Sequence, residues 1–144
     1  MTNIMYKSKI LLIIFLSIFI INAKNFITNL ENILNKFQWK NRIILLISGN
    51  ANDVIVDEVK TFFNKQKCEN EERNLKLVKI IGSKINKIIL PTIYKNKFGI
   101  WLIGYDGKIK AYSRNSSLLY KTHEIIDSMP IRKIEMNAFN SKCK

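Results

Sequence analysis

Apolar residues first gather into one block, Ile10 to Ile21, interrupted by Ser17 and preceded by Lys7 and Lys9. Its twelve residues fall short of the roughly 20 that cross a bilayer. A positive flank, an apolar block and the small residue that closes Ile21-Asn22-Ala23 are the parts of a cleaved secretory signal. Residues 1–23 are therefore expected to be a signal peptide, 24–136 a single domain and 137–144 a C-terminal tail. No Cys follows Ala23, which argues against a lipid anchor.

Beyond the signal, Phe26, Leu30, Ile33, Leu34 and Phe37 recur at three- and four-residue spacing and predict a short amphipathic helix. Arg42 to Ser48 is apolar without alternation, the pattern of a strand covered on both faces. Gly49-Asn50-Ala51-Asn52 is turn chemistry, and Asn52 or Asp53 is placed to cap a helix striped by Ile55, Val59, Phe62 and Phe63 that stops near Lys67. A polar bend from Cys68 to Arg73 leads to Leu75–Ile81, where alternating lysines predict a strand nearer the sheet edge. Residues 82–97 are ambiguous: Ile85, Ile88 and Ile89 suggest a helical turn that Pro91 ends. Gly99 to Gly104 and Lys108 to Ser113 then read as a hairpin about Tyr105-Asp106-Gly107. Ser116 or Ser117 caps a last helix whose inward face is Leu118, Leu119, Thr122, Ile125, Ile126 and Met129, and Pro130 ends it. Helix, strand, helix, strand, connection, hairpin, helix is the succession of a thioredoxin-like α/β domain. It implies a mixed sheet of about four strands flanked by helices.

Composition narrows the function. The 144 residues carry Lys+Arg 24 against Asp+Glu 11, a formal charge of +13. Heavy use of Ile, Lys and Asn marks much of that charge as compositional. Lys84, Lys87, Lys95, Lys97, Lys108, Lys110, Arg114, Arg132 and Lys133 are nonetheless candidates for a basic stripe. Export makes an unidentified protein or an envelope polyanion the expected partner, with no DNA and with membrane contact only in transit through the signal. Tyr94, Trp101 and Tyr112 read as core residues of the sheet or as a contact surface.

A thioredoxin-like enzyme needs a thiolate at the start of the helix after the first strand, where the helix dipole lowers its pKa. Ser48-Gly49-Asn50-Ala51-Asn52-Asp53 holds none, and no Cys-x-x-Cys occurs. Catalytic residues are therefore expected to be none, with the alternative of a divergent oxidoreductase using Cys68 and Cys143. In an exported protein those 2 Cys suit a disulfide, although unpaired thiols or a link between chains fit the sequence equally. His123 stands alone, and Asp53, Asp57 and Glu58 gather where a helix dipole favours carboxylates. Neither pattern calls for a metal or a cofactor.

Four segments carry a resemblance to a known family. They are Phe37-Gln38-Trp39-Lys40-Asn41-Arg42, Glu72-Arg73-Asn74-Leu75, Leu102 to Lys110, and Ile126 to Met136, which holds Asp-x-Met-Pro-x-Arg followed by Glu-Met. Together they resemble the domain of unknown function 4174 family over roughly 26–136. The resemblance implies a thioredoxin-like fold, in small exported bacterial proteins and in repeated domains of animal extracellular matrix and sushi-repeat proteins, with no biochemical activity assigned and a redox role resembling that of peroxiredoxins suggested by the fold alone. This chain departs from the family at Asn74, where Asp is usual, and at Tyr105, where Lys is usual. The motif residues Trp39, Arg42, Arg73, Asp106 and Arg132 are the candidate binding residues. Structural roles compete: Trp39 as a lid on the core, Asp106 as a turn former, and the arginines as partners of Glu72, Asp127 or Glu135.

Overall fold

A computed structural model of the chain describes residues 27–138, 140, 141 and 143, so the signal segment lies outside the described residues. The elements are β1 (Thr28–Asn29), α1 (Leu30–Asn35), β2 (Arg42–Ser48), α2 (Val54–Lys65), α3 (Lys67–Glu72), β3 (Leu75–Ile81), a 3-10 helix (Gly82–Lys87), β4 (Ile88–Ile89), β5 (Gly99–Ile103), β6 (Ile109–Ser113), α4 (Ser117–Asp127) and α5 (Pro130–Ala138).

The four-stranded sheet has the order β3-β2-β5-β6. β2 runs parallel to β3 and antiparallel to β5, and β5 is antiparallel to β6. A βαβ unit followed by a hairpin and a closing helix, with the first strand central, is the thioredoxin-like arrangement.

The unalternating run in β2 has its reason here, since every one of its 7 residues is buried. Side chains of a strand alternate between faces, and this strand has a core on each. Ile44 and Leu46 pack with Val59 and Phe62 of α2 and with Leu118, Leu119 and Ile126 of α4. Ile43, Leu45 and Ile47 pack with Leu30 of α1 and with Tyr94 and Trp101. Burying one such aliphatic side chain contributes about 1.5–3 kcal/mol, so β2 anchors both layers. Tyr94 and Trp101 are thus core residues, their rings 4.9 Å apart. At the start of β5, Gly99 (φ +138) lies where a Cβ would run into the Ser113 carbonyl oxygen.

Two local expectations need correction and two gain detail. The polar bend after Cys68 is a short helix, α3, with Asn70 buried at its centre. Pro130 does not close the chain's last helix but opens α5, because the missing N–H of proline is no loss in the first helical turn. Ser116 takes the N-cap position of α4 as expected but makes no capping bond with its side chain; Asn115 Oδ1 accepts the Ser117 N–H at 3.0 Å instead. The ambiguous connection holds β4, which pairs in parallel with β1 as a separate two-stranded sheet.

Candidate functional site

Three of the five motif residues meet at the edge where β2 and β3 begin. Arg42 is 1% exposed. Its Nη1 donates to the Arg73 carbonyl at 2.8 Å and to Glu135 Oε2 at 3.2 Å. Its Nε and Nη2 are buried without a hydrogen bond. The Tyr105 ring, 4.0 Å from the guanidinium carbon, covers them and supplies a cation–π contact in their stead. Arg73 grips Asp127 through both carboxylate oxygens, at 3.0 and 2.6 Å. Arg132 reaches Asp127 Oδ1 at 3.2 Å and the Glu72 carbonyl at 2.9 Å.

Burial alone would raise the Asp127 carboxyl, but Arg73 and Arg132 together hold it below the ordinary carboxylate range. Burial, reinforced by Glu135, raises the Tyr105 phenol against the opposing pull of Asn74 and Arg42. The three guanidinium groups point into carboxylates and carbonyls that join β2, α3, α4 and α5, an ion-pair knot that fixes the end of the sheet. Arg132 is 8% exposed, so it leaves the expected basic stripe.

Asp106 sits apart at the hairpin. Its Oδ1 accepts the Lys108 N–H at 3.1 Å and its Oδ2 takes Lys110 Nζ at 2.8 Å. Burial opposes ionisation, yet these partners lower its pKa. Lys110 is thereby engaged rather than free.

Trp39 corrects a further expectation. It is 66% exposed and is no lid on the core. Its φ is 61°, a left-handed conformation that bulky residues seldom adopt, and its N–H donates to the Tyr105 carbonyl at 2.8 Å.

At the other end of β2 lies the place where this fold would carry a nucleophile. Ser48 is 1% exposed. Its hydroxyl bonds to Asp53 Oδ2 and, at 2.9 Å, to the Asn50 carbonyl. Asp53, expected as a helix cap, makes no capping bond from its N-cap position, because its carboxylate is turned to Ser48. The loop closes on itself and presents no thiol.

Cys68, in the first turn of α3, is joined to Cys143 with 5.7 Å between their Cα atoms. That is the far end of the sheet from Ser48, since α2 runs back toward the start of β3. The tail is held a second time, by Glu72 Oε1, which accepts the Ser141 hydroxyl at 2.9 Å and the Cys143 N–H at 3.1 Å. A groove of about 810 Å³ lies beside this strap, lined among others by Cys68, Arg73, Arg132, Glu135 and Ser141.

His123, the one His of the sequence, is half-buried on α4. Its Nε2 lies 2.7 Å from Asn70 Oδ1 and its ring packs on Phe62. Burial first, then nearby Arg73, lowers its pKa against the pull of Asp127 and Glu69. No sequence signal marked Asn70, a buried amide within a run of charged residues. The Ser48–Asp53 pair was missed too, although Ser and Asp five residues apart across a tight turn is a readable pattern. Among the described residues, no three His, Cys, Asp or Glu side chains converge as a metal ion would need.

Comparison with known proteins yields two matches. A family profile described as "Domain of unknown function (DUF4174)" matches residues 33–135. The solved structure of the mitochondrial 2-Cys peroxiredoxin from Plasmodium falciparum aligns with 77% of this chain and 86% of its own, at 18% identity and a TM-score of 0.48.

Proposed function

The chain belongs to the DUF4174 family, and from that premise we propose that it is an exported, non-catalytic binding module on a thioredoxin-like scaffold. One observation carries the reading. The loop that opens α2 contains no Cys, and its one hydroxyl group is spent on Asp53 and the Asn50 carbonyl. A peroxidatic or dithiol centre needs a thiolate there, stabilised by the helix dipole. Both cysteines sit instead at the opposite end, consumed in a disulfide that straps the tail. A structural disulfide suits an oxidising compartment, and the Lys7, Lys9 and Ile10–Ile21 pattern provides the route to one.

The test is kinetic. The purified protein is assayed for exchange with a small aromatic disulfide and for hydroperoxide consumption in the presence of a dithiol. Both rates are expected to equal the buffer background and to be unchanged by Cys68→Ser. A rate well above background that Cys68→Ser abolishes would make the protein a divergent thiol oxidoreductase.

A further inference from the structure

On the face of the sheet covered by α1, the structure contains a pocket of about 210 Å³ that none of the motif arginines lines. Its walls come from α1, the turn that follows it, the loop around Pro91–Tyr94 and the hairpin. Leu34, Ile43, Ile93 and Ile103 supply apolar surface. Glu31, Asn35, Gln38, Asn41 and Tyr94 supply polar groups.

Most of those polar groups have hydrogen-bonding capacity to spare. Gln38 Nε2 donates to the Asp106 carbonyl at 3.2 Å, which leaves its Oε1 as an acceptor. Asn41 Nδ2 donates to the Asn74 carbonyl at 3.3 Å, which likewise leaves Oδ1. The Asn35 side chain and the Glu31 carboxylate have no hydrogen bond or ion pair among the described residues. Tyr94 is 6% exposed, and its hydroxyl, which makes no hydrogen bond among the described residues, keeps access to solvent. As part of the pocket wall it is free to donate to a ligand group. Burial, with Glu31 adding to it, raises the Tyr94 pKa and keeps it a donor.

We infer that this pocket seats one pyranose unit of a glycan. Its volume lies below the roughly 300–1,000 Å³ of sites for drug-sized ligands, which excludes a nucleotide or a folded peptide. In a chain with Lys+Arg 24, no Lys or Arg lines it, and Glu31 repels anions. Side-chain amides, a carboxylate and a phenol offer donors and acceptors together. Vicinal hydroxyls, each donor and acceptor at once, match that set, while the C–H face of a sugar ring matches the aliphatic walls.

Trp39 extends the site. It stands in the chain between the lining residues Gln38 and Asn41, fixed to the hairpin through Tyr105. Its left-handed backbone is strained and its indole is not repaid by burial. An exposed indole held in this way is a platform for the next ring of the chain. The inference rests on the module reading above and gives its binding a chemical class.

Amide NMR spectra of the protein, titrated with methyl β-glucopyranoside, N-acetylglucosamine and N,N′-diacetylchitobiose, test it. Saturating shifts are expected at Asn35, Gln38, Tyr94 and Gly107 with at least one sugar. Tyr94→Phe and Asn35→Ala should each weaken binding about ten-fold. Trp39→Ala should weaken the disaccharide alone. Spectra of the free variants establish that each is folded. Absence of saturating shifts with all three sugars, or shifts that survive both Tyr94→Phe and Asn35→Ala, overturns the inference. Binding of n-butylammonium in place of sugar, lost on Glu31→Gln, overturns it as well. None of these results touches the thiol-exchange test, so the two readings fail separately.

Discussion

Trp39 shows how a residue type and its place in the chain can disagree. A tryptophan just before the central strand reads as a core residue, yet its indole lies in solvent on a left-handed backbone. For a non-glycine residue that conformation costs about 1–2 kcal/mol, partly offset by the greater entropy that glycine loses on folding. Trp39→Gly is therefore expected to stabilise the protein by about 0.5–1 kcal/mol, read as a higher urea midpoint. Had Trp39 been a core lid, its removal would cost about 3–5 kcal/mol, so the sign alone decides. The two positions at which the resemblance implied Asp and Lys meet in the fold: Asn74 Nδ2 donates to the Tyr105 hydroxyl at 2.8 Å, a neutral pair. Asn74 also suits its own positive φ of 48°, which asparagine tolerates better than most residues.

Elements were legible where one signal dominated. β2, β3 and the hairpin follow from apolar runs and turn residues, and the inward stripes of α2 and α4 were read from 3.6-residue spacing. What escaped were elements held by polar contacts, which leave no hydrophobic period. α3 buries Asn70 rather than an aliphatic residue, and α5 turns Arg132 inward while Ile134 stays 69% exposed. The knot of arginines was legible as residues but not as geometry, because two of the helices it joins, α3 and α5, were not shown by the pattern.

The same polar packing makes α3 and α4 sensitive to pH. His123 has a lowered pKa in the fold, so the unfolded chain takes up its proton at higher pH. Its contribution to stability is complete above the unfolded value of about 6.5 and is lost as pH falls through the folded value. Urea midpoints should decline as pH drops from 7 toward 5, and His123→Gln should flatten that limb. The loss tied to Asp127, whose pKa is also lowered, belongs below about pH 4 and should survive in the variant. A limb between pH 7 and 5 that is unchanged by His123→Gln would place the titration elsewhere.

For the molecule as a whole, the thioredoxin-like scaffold keeps its sheet order while its cysteines have moved to the other end. The disulfide spans 75 residues and encloses β3, the hairpin, α4 and α5 in one loop. In the chain-entropy description, closing a loop of that length restrains the unfolded chain by about 4 kcal/mol. A second tie, from Glu72 to Ser141 and to the Cys143 backbone, remains when the sulfur link is cut, so the native tail keeps part of its attachment. Reduction, or Cys68→Ser, is expected to lower stability by about 3–4 kcal/mol, measured as a fall in urea midpoint with a steeper slope, because the released unfolded chain exposes more surface. The Tyr94 pocket lies on the opposite face of the sheet from α2, so amide shifts around Tyr94 should persist in the reduced protein. A disulfide poised to oxidise substrates would behave differently: its reduced form is the more stable, so reduction would raise the urea midpoint.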